Sequence, residues 1–259
     1  MIAALFGYGL FAVTIIRPLL QAILRRRAPA YWNRLLRHWY RSACRVMGIR
    51  IAVFGEPSRE GGLTVANHIS WIDIIAIGSV VDLDFIAKED VRHWPVVGYL
   101  ANSVGTLFAR RGDSSQLEAI ANLMTWRIHQ GRRLMLFPEG TTTRGDRVLR
   151  FNAKLFKPAH LAGAPVQAVA LRYRQPAGRI APFVGDDDFL SHLWRVLQLD
   201  SLELELHFCE PIASGWLVST IAPTTRNQIV AALGDAITDQ TEAGTAYFRP
   251  RRAARTSDA

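Results

Sequence analysis

The chain has 259 residues, 49% of them apolar and 20% charged, which excludes global disorder and allows one large α/β domain with or without an appendage. Lysine and arginine exceed the acids 31 to 22, a formal charge of +9; such a balance suits phosphate groups and membrane surfaces as readily as nucleic acid. Cys44 and Cys209 lie far apart, without a Cys-x-x-Cys pair or clustered histidines, which argues against a disulfide framework and a structural metal site.

Met1 to Ile16 carries no charge, Arg17 and Pro18 interrupt, and apolar residues resume to Leu24 before Arg25-Arg26-Arg27. Helix to Ile16 alone covers about 24 Å at ~1.5 Å per residue, short of the ~30 Å hydrocarbon layer. Extension to Leu24 spans it, provided Arg17 snorkels. A cleaved signal peptide ending at Ala28-Pro29-Ala30 is the rival reading. The arginines, however, follow the apolar run, which keeps that end cytoplasmic. The expectation is an uncleaved anchor or a re-entrant helix.

From Tyr31 to Met47, Trp32, Leu35, Leu36, Trp39, Ala43 and Met47 recur at helical spacing against Arg34, Arg37, His38, Arg41 and Arg45. Such a helix lies in an anionic membrane interface or packs its apolar face on its own domain. Residues 1–47 are accordingly read as membrane-associated helices, 48–248 as one α/β domain and 249–259 as a basic, disordered tail.

Beyond residue 48, short apolar runs alternate with helical segments. That pattern predicts an α/β fold with a mixed, largely parallel sheet of about seven strands flanked by helices. The strands are Ile49 to Phe54, Leu63 to Ala66, Asp84 to Ala87, Thr106 to Ala109, Leu134 to Phe137, Val166 to Leu171 and Leu202 to Phe208. In the last, Leu202, Leu204, Leu206 and Phe208 alternate with Glu203, Glu205 and His207, predicting a half-exposed strand at or near an edge. Helices are predicted over Ser70 to Val80, His93 to Asn102, Asp113 to Gln130, Ala153 to Ala162 and Thr224 to Thr241. Asp113-Ser114-Ser115 supplies cap candidates for the third, and Gly131 a stop.

Two segments carry chemistry. Asn67-His68-Ile69-Ser70-Trp71-Ile72-Asp73 directly follows a strand and offers a histidine and a carboxylate five apart. Such a pair does not share a face within one ideal helix. It meets only if His68 lies in the turn and Asp73 in the first helical turns, where the carboxylate fixes the imidazole tautomer. The plain reading is a satisfied histidine and an acid complementing the helix dipole. Phe137-Pro138-Glu139-Gly140-Thr141-Thr142-Thr143-Arg144-Gly145 follows another strand. Its small residues let a ligand approach the backbone, and Arg144 can hold an anion bidentately. A solvated, charged turn is the alternative.

In these blocks the sequence resembles the lysophospholipid acyltransferases of the glycerol-3-phosphate acyltransferase superfamily, in particular the bacterial 1-acyl-sn-glycerol-3-phosphate acyltransferases. Their Asn-His-x-x-x-x-Asp block matches Asn67, His68 and Asp73, and their Phe-Pro-Glu-Gly-Thr block matches Phe137 to Thr141, with Arg144 and Gly145 following. Gly105 to Arg111 matches a Gly-x-x-Phe-x-x-Arg segment, and Lys88 stands ahead of Pro95-Val96-Val97-Gly98 as the family's lysine does. The four blocks keep family order across about residues 63 to 171.

The resemblance implies that His68, oriented by Asp73, deprotonates the free hydroxyl of a lysophospholipid as it attacks an acyl thioester. No Gly-x-Ser-x-Gly elbow is present, so no covalent acyl-enzyme is expected. Lys88, Arg111 and Arg144 are expected to hold the acceptor phosphate. Glu139 is expected to orient an acceptor hydroxyl or organise those cations, and backbone N–H groups near Gly140 and Thr141 to face the thioester oxygen. The donor is acyl-coenzyme A or acyl-carrier protein, a substrate rather than a bound cofactor, and no metal is expected. Lysophosphatidic acid is the expected acceptor, and the cell inner membrane, at its cytoplasmic face, the expected location.

Two positions depart from the family pattern: Thr142 stands where a second arginine is common, and Ala164 to Val169 keeps only the first of two prolines. Lyso-ornithine lipid or another lysolipid is therefore an alternative acceptor. A reading of another class is a non-catalytic membrane protein that binds anionic lipid. Nucleic acid is not an expected partner, because the charge lies beside apolar sequence and no nucleic-acid motif occurs. Gly7-Tyr8-Gly9-Leu10-Phe11-Ala12 matches a dinucleotide fingerprint but lacks a preceding strand, and reads as small residues in a membrane helix. Asp186-Asp187-Asp188 reads as a solvated acidic turn rather than a cation site.

Overall fold

A computed structural model describes residues 2–24, 28–94, 96–110 and 114–234. Arg25 to Arg27, Pro95, Arg111 and Asp113 lie outside the described residues, as does the tail from 249. In chain order the elements are α1 (Ile2–Phe11), a π-helical turn (Ala12–Ile16), α2 (Arg17–Leu24), α3 (Ala28–Val46), β1 (Ile49–Phe54), β2 (Gly62–Ala66), α4 (Ile72–Val80) and β3 (Asp84–Lys88). There follow α5 (Val97–Ser103), β4 (Leu107–Ala109), α6 (Ser114–His129), β5 (Arg133–Leu136), α7 (Lys157–Leu161), β6 (Val166–Tyr173), α8 (Phe189–Leu197), β7 (Leu202–Phe208) and α9 (Val218–Leu233).

All seven expected strands form one sheet in the order β1-β7-β6-β2-β5-β3-β4. β6, β2, β5, β3 and β4 pair in parallel, while β7 runs antiparallel to β6 and carries β1 parallel to itself. Period-two alternation divides the core between the two faces. Met135, Val169, Leu171 and Leu204 point to one face, where Tyr40 of α3 and Ile72 and Ile77 of α4 cover them. Leu63, Val65, Leu134, Leu136 and Ala168 point to the other, covered by Ile128 of α6, Ala159 of α7 and Ile229 of α9. The result is a three-layer α/β/α arrangement.

α1, the π turn and α2 form one helical run, Ile2–Leu24, of 23 residues, long and apolar enough to cross a membrane. Phe11, Ile15, Leu19 and Ile23 recur every fourth residue and are exposed along one side. The apolar stripe of α3 is covered within the protein instead: Tyr40, Cys44 and Met47 pack in the sheet core and Trp32 against Ala12, Val13 and Leu100, whereas Arg34, His38, Arg41 and Arg45 are exposed. Gly78 of α4 permits this close approach, since a Cβ there would meet the Tyr40 ring at 2.7 Å.

Several expectations need correction. The helix predicted from His93 is a 3-10 turn over Glu89–His93 followed by α5 from Val97. The separation lies at Pro95, whose ring disfavours helical conformation in Trp94; Trp94 is extended. The segment from Ala153 to Ala162 divides likewise into a 3-10 turn over Ala153–Phe156 and α7, which has a proline in its first turn. α9 begins at Val218 rather than Thr224, with Pro223 inside it. α8 was not predicted; Asp188 caps it by accepting from Ser191 N at 2.9 Å, and Asp187 pairs with Arg195. Glu205, expected on the exposed face of β7, is buried, because Arg172 and Arg174 of the antiparallel neighbour reach across to its carboxylate.

Candidate active site

β2 and β5 are parallel neighbours in mid-sheet, so the segments that leave them, Asn67-His68 and Phe137-Pro138-Glu139, emerge side by side at the same edge. Ligands in open α/β sheets occupy this carboxyl edge. Asn67 closes the end of β2: its side-chain amide donates to Leu171 O at 3.0 Å and accepts from Leu171 N at 2.8 Å. The amide thereby replaces the ladder bonds that β6 would otherwise lack, and His68 is free to turn away.

His68 Nδ1 lies 2.8 Å from Asp73 Oδ2, across the turn that starts α4. The same oxygen accepts from Ile69 N at 2.8 Å and Ser70 N at 3.0 Å, and Oδ1 accepts from Tyr173 Oη at 2.6 Å. Asp73 is 0% exposed. A carboxylate surrounded by four donors has only acceptor roles, so Nδ1 carries the proton and Nε2 presents its lone pair. The His68 side chain is 18% exposed, and Nε2 makes no hydrogen bond with a described residue. Its ring stacks on Phe137, centroids 3.8 Å apart and planes within 10°. Stacking on one side and the carboxylate at one nitrogen leave the imidazole a single orientation.

Glu139 fastens the second segment to the first. Oε2 accepts from His68 N at 2.8 Å and Oε1 from Leu149 N at 2.7 Å. Burial pushes its carboxyl up to about 7, against the pull of those two N–H donors and of Arg226; Asp73 adds to the rise. Through these two bonds the carboxylate ties the backbone of the two segments together. Thr143 N donates to His68 O at 2.8 Å, a further tie between the segments. Gly140 adopts φ 69°, a region that favours glycine, and its N–H closes the turn on Phe137 O at 3.0 Å. That N–H is therefore committed, whereas Thr141 is exposed and its N–H makes no hydrogen bond among the described residues.

The chain matches a protein-family model described as Acyltransferase over residues 50–172, the span that carries both segments. It is also 42% identical over 184 residues to a lyso-ornithine lipid O-acyltransferase of Pseudomonas aeruginosa, covering 70% of this chain and 71% of that one. The chain belongs to the acyltransferase family. A 1-acyl-sn-glycerol-3-phosphate acyltransferase of Neisseria gonorrhoeae is 36% identical over 159 residues, covering 60% of this chain and 62% of that protein. The crystal structure of the 1-acyl-sn-glycerophosphate acyltransferase from Thermotoga maritima shares the fold, with a TM-score of 0.64 at 20% identity over 94% of this chain and 98% of that one.

Among the described residues, Lys88 and Arg144 of this acyltransferase lie at the same sheet edge. Lys88 ends β3, the next parallel strand beyond β5, and is exposed. Arg110 follows β4, and Arg111 lies outside the described residues. Arg144 is exposed in the second segment and forms no ion pair among the described residues. Thr142, where an arginine is common in the family, turns its hydroxyl to Phe183 O, and Phe183 N donates to Ile69 O at 2.9 Å.

Sequence reasoning missed Tyr173, Phe137 as a stacking partner, and Phe183. Tyr173 is 100 residues from the carboxylate it binds, and no local spacing signals such a contact.

Proposed function

We propose that this acyltransferase moves an acyl chain from a thioester to the free hydroxyl of a lysolipid, with His68 as general base. The observation that carries the reading is the Nδ1 contact to a buried, fully satisfied Asp73, which leaves Nε2 as the reactive nitrogen. Nε2 takes the hydroxyl proton as the oxygen attacks the thioester carbonyl. When the tetrahedral adduct collapses, the carbon–sulfur bond breaks and that proton passes to the departing thiolate. The thiolate carrier is coenzyme A or acyl-carrier protein. Asp73 stabilises the imidazolium in between, and the Thr141 N–H is the candidate donor to the developing oxyanion.

Arg144 and Lys88, with Arg111 assigned from its motif position, bind the anionic group of the acceptor. Lysophosphatidic acid is the first reading of that acceptor. Lyso-ornithine lipid is the second, favoured by Thr142: a site with one arginine fewer suits a carboxylate better than a dianionic phosphate monoester, and the Pseudomonas relative carries that name. The Ile2–Leu24 run anchors the enzyme in the cell inner membrane, with the arginines after it on the cytoplasmic face.

The test is thiol release from an acyl thioester, assayed with lysophosphatidic acid, lyso-ornithine lipid and neutral lysolipids in parallel. Release that requires one of the first two identifies the acceptor. Lipid binding without release from any of them would instead make the protein a non-catalytic anionic-lipid binder.

A further inference from the structure

A cavity of about 600 Å³ lies on the opposite edge of the sheet from His68. Asp84 and Arg133, the first residues of β3 and β5, form part of its floor, whereas the candidate active site lies where those parallel strands end. Four residues of strand at ~3.3 Å each place the two about 13 Å apart or more. The roof comes from the N-terminal helices, through Arg17 and Leu20 of α2 and Trp32 and Leu36 of α3. A volume in this range holds a small polar group with part of an apolar tail.

The wall is cationic. Five arginines (17, 37, 127, 132 and 133) face two aspartates, Asp82 and Asp84, leaving three positive charges in excess. Asp82 takes Arg37, and Asp84 takes Arg132 and Arg127. Arg17 and Arg133 have no carboxylate partner among the described residues. Arg133 gives one N–H to Ser58 O at 2.8 Å, and Arg17 lies over the Trp32 ring, 5.4 Å from its centroid. Burial holds the Arg133 guanidinium below its ordinary value, the condition that a bound anion relieves. Trp32 is 8% exposed and its indole Nε1 has no hydrogen-bond partner among the described residues. An indole N–H without a partner and two guanidinium groups without carboxylates, all on residues that line one cavity, are an arrangement for an acceptor-only ligand.

We propose that this cavity is a second binding site, for the phosphodiester headgroup of an anionic phospholipid, with its tail directed along the apolar side of α2. Charge selects the headgroup, and the position of Leu20 and Arg17 on the apolar helix selects a membrane lipid over a soluble anion. Bound there, the lipid would bridge the N-terminal helices and the sheet domain and fix the domain's pose on the bilayer. Binding there does not depend on which lysolipid is acylated.

Calorimetric titration of the full chain in neutral detergent tests it, with short-chain phosphatidylglycerol, short-chain phosphatidylcholine and inorganic phosphate as separate ligands. Phosphatidylglycerol is expected to bind, phosphate more weakly, and phosphatidylcholine at least about tenfold more weakly, because it carries the same phosphodiester but its choline cation meets a wall with positive charge in excess. The double variant Arg17→Gln, Arg133→Gln should weaken phosphatidylglycerol about tenfold or more, and Trp32→Phe, which keeps the ring and removes the N–H, several-fold. Arg144→Ala should leave it unchanged. Equal affinity for phosphatidylcholine overturns the charge reading, and phosphate binding as tightly as the lipid overturns the lipid assignment. Weakening by Arg144→Ala but not by Trp32→Phe would place the ligand in the acyltransferase site and overturn the proposal. Trp32→Phe decides the matter if the double variant does not fold.

Discussion

Tyr173 Oη donates to Asp73 Oδ1 at 2.6 Å, joining the end of β6 to the first turn of α4. Burial and the neighbouring carboxylate push the phenol well above its ordinary range, so it remains a donor at any working pH. The opposite oxygen of Asp73 is thereby left to His68, Ile69 N and Ser70 N. Tyr173 touches no reacting atom; it positions the group that positions the base.

Tyr173→Phe should remove one donor while keeping the ring in the core. A buried hydrogen bond to a charged group contributes about 1.5–3 kcal/mol, so the thermal midpoint falls. Because the three Oδ2 contacts persist, kcat should fall only about tenfold with acceptor KM unchanged. A variant with full kcat would remove Tyr173 from the positioning chain.

His68→Ala and Asp73→Ala should separate chemistry from stability. Removing the base lowers kcat by about 100-fold or more, yet His68 is partly exposed and its loss orphans only one lone pair of the carboxylate. Removing Asp73 orphans Ile69 N, Ser70 N and Tyr173 Oη in a site of 0% exposure. Each unmet donor costs about 1–3 kcal/mol, so Asp73→Ala should be inactive and poorly folded. Thermal midpoints of the two variants in detergent check this; equal midpoints contradict it.

Glu139 should make stability depend on pH. Its folded value is raised from 4.5 to about 7, chiefly by burial. For a raised group the contribution is complete below the unfolded value and is lost as pH climbs through the folded one. The wild-type midpoint should therefore decline between about pH 4.5 and 7, by at most about 3 kcal/mol of stability. Glu139→Gln should flatten this dependence. It should also lower activity, since its amide NH2 would confront one of the two backbone N–H donors, His68 N or Leu149 N. A pH dependence unaltered by the substitution would assign the titration to another group.

The strands were legible because their short apolar or alternating runs are bounded by turns, and β2 and β5 could be placed as the bearers of the two segments. α8 was hidden because Asp186 to Asp188 reads as a turn in itself; only the bond from Ser191 N to Asp188 shows that the turn is a helix cap. The helix expected from Thr224 begins earlier, at Val218, with Pro223 inside it. In the site, the His68–Asp73 contact followed from spacing, since the pair is local. The second use of Glu139, as a tie between His68 N and Leu149 N, was not legible, because backbone donors leave no mark on residue type. Tyr173 and Phe183 reach the site through sheet order and loop packing, which no single segment encodes.

Arg144→Ala tests which substrate the second segment holds. The guanidinium is exposed and pairs with no carboxylate among the described residues, so its removal disturbs no internal contact and the midpoint should stay within about 0.5 kcal/mol of stability. A charge-assisted contact to the acceptor's anionic group contributes about 1.5–3 kcal/mol, which becomes a roughly ten- to hundredfold rise in acceptor KM. If the contact forms equally in ground and transition states, kcat stays constant, because uniform binding affects KM alone. Steady-state kinetics with each substrate varied in turn read this directly. A rise confined to the thioester's KM would move Arg144 to the donor side. Loss for lysophosphatidic acid with lyso-ornithine lipid unaffected would show that the carboxylate headgroup is held by other residues.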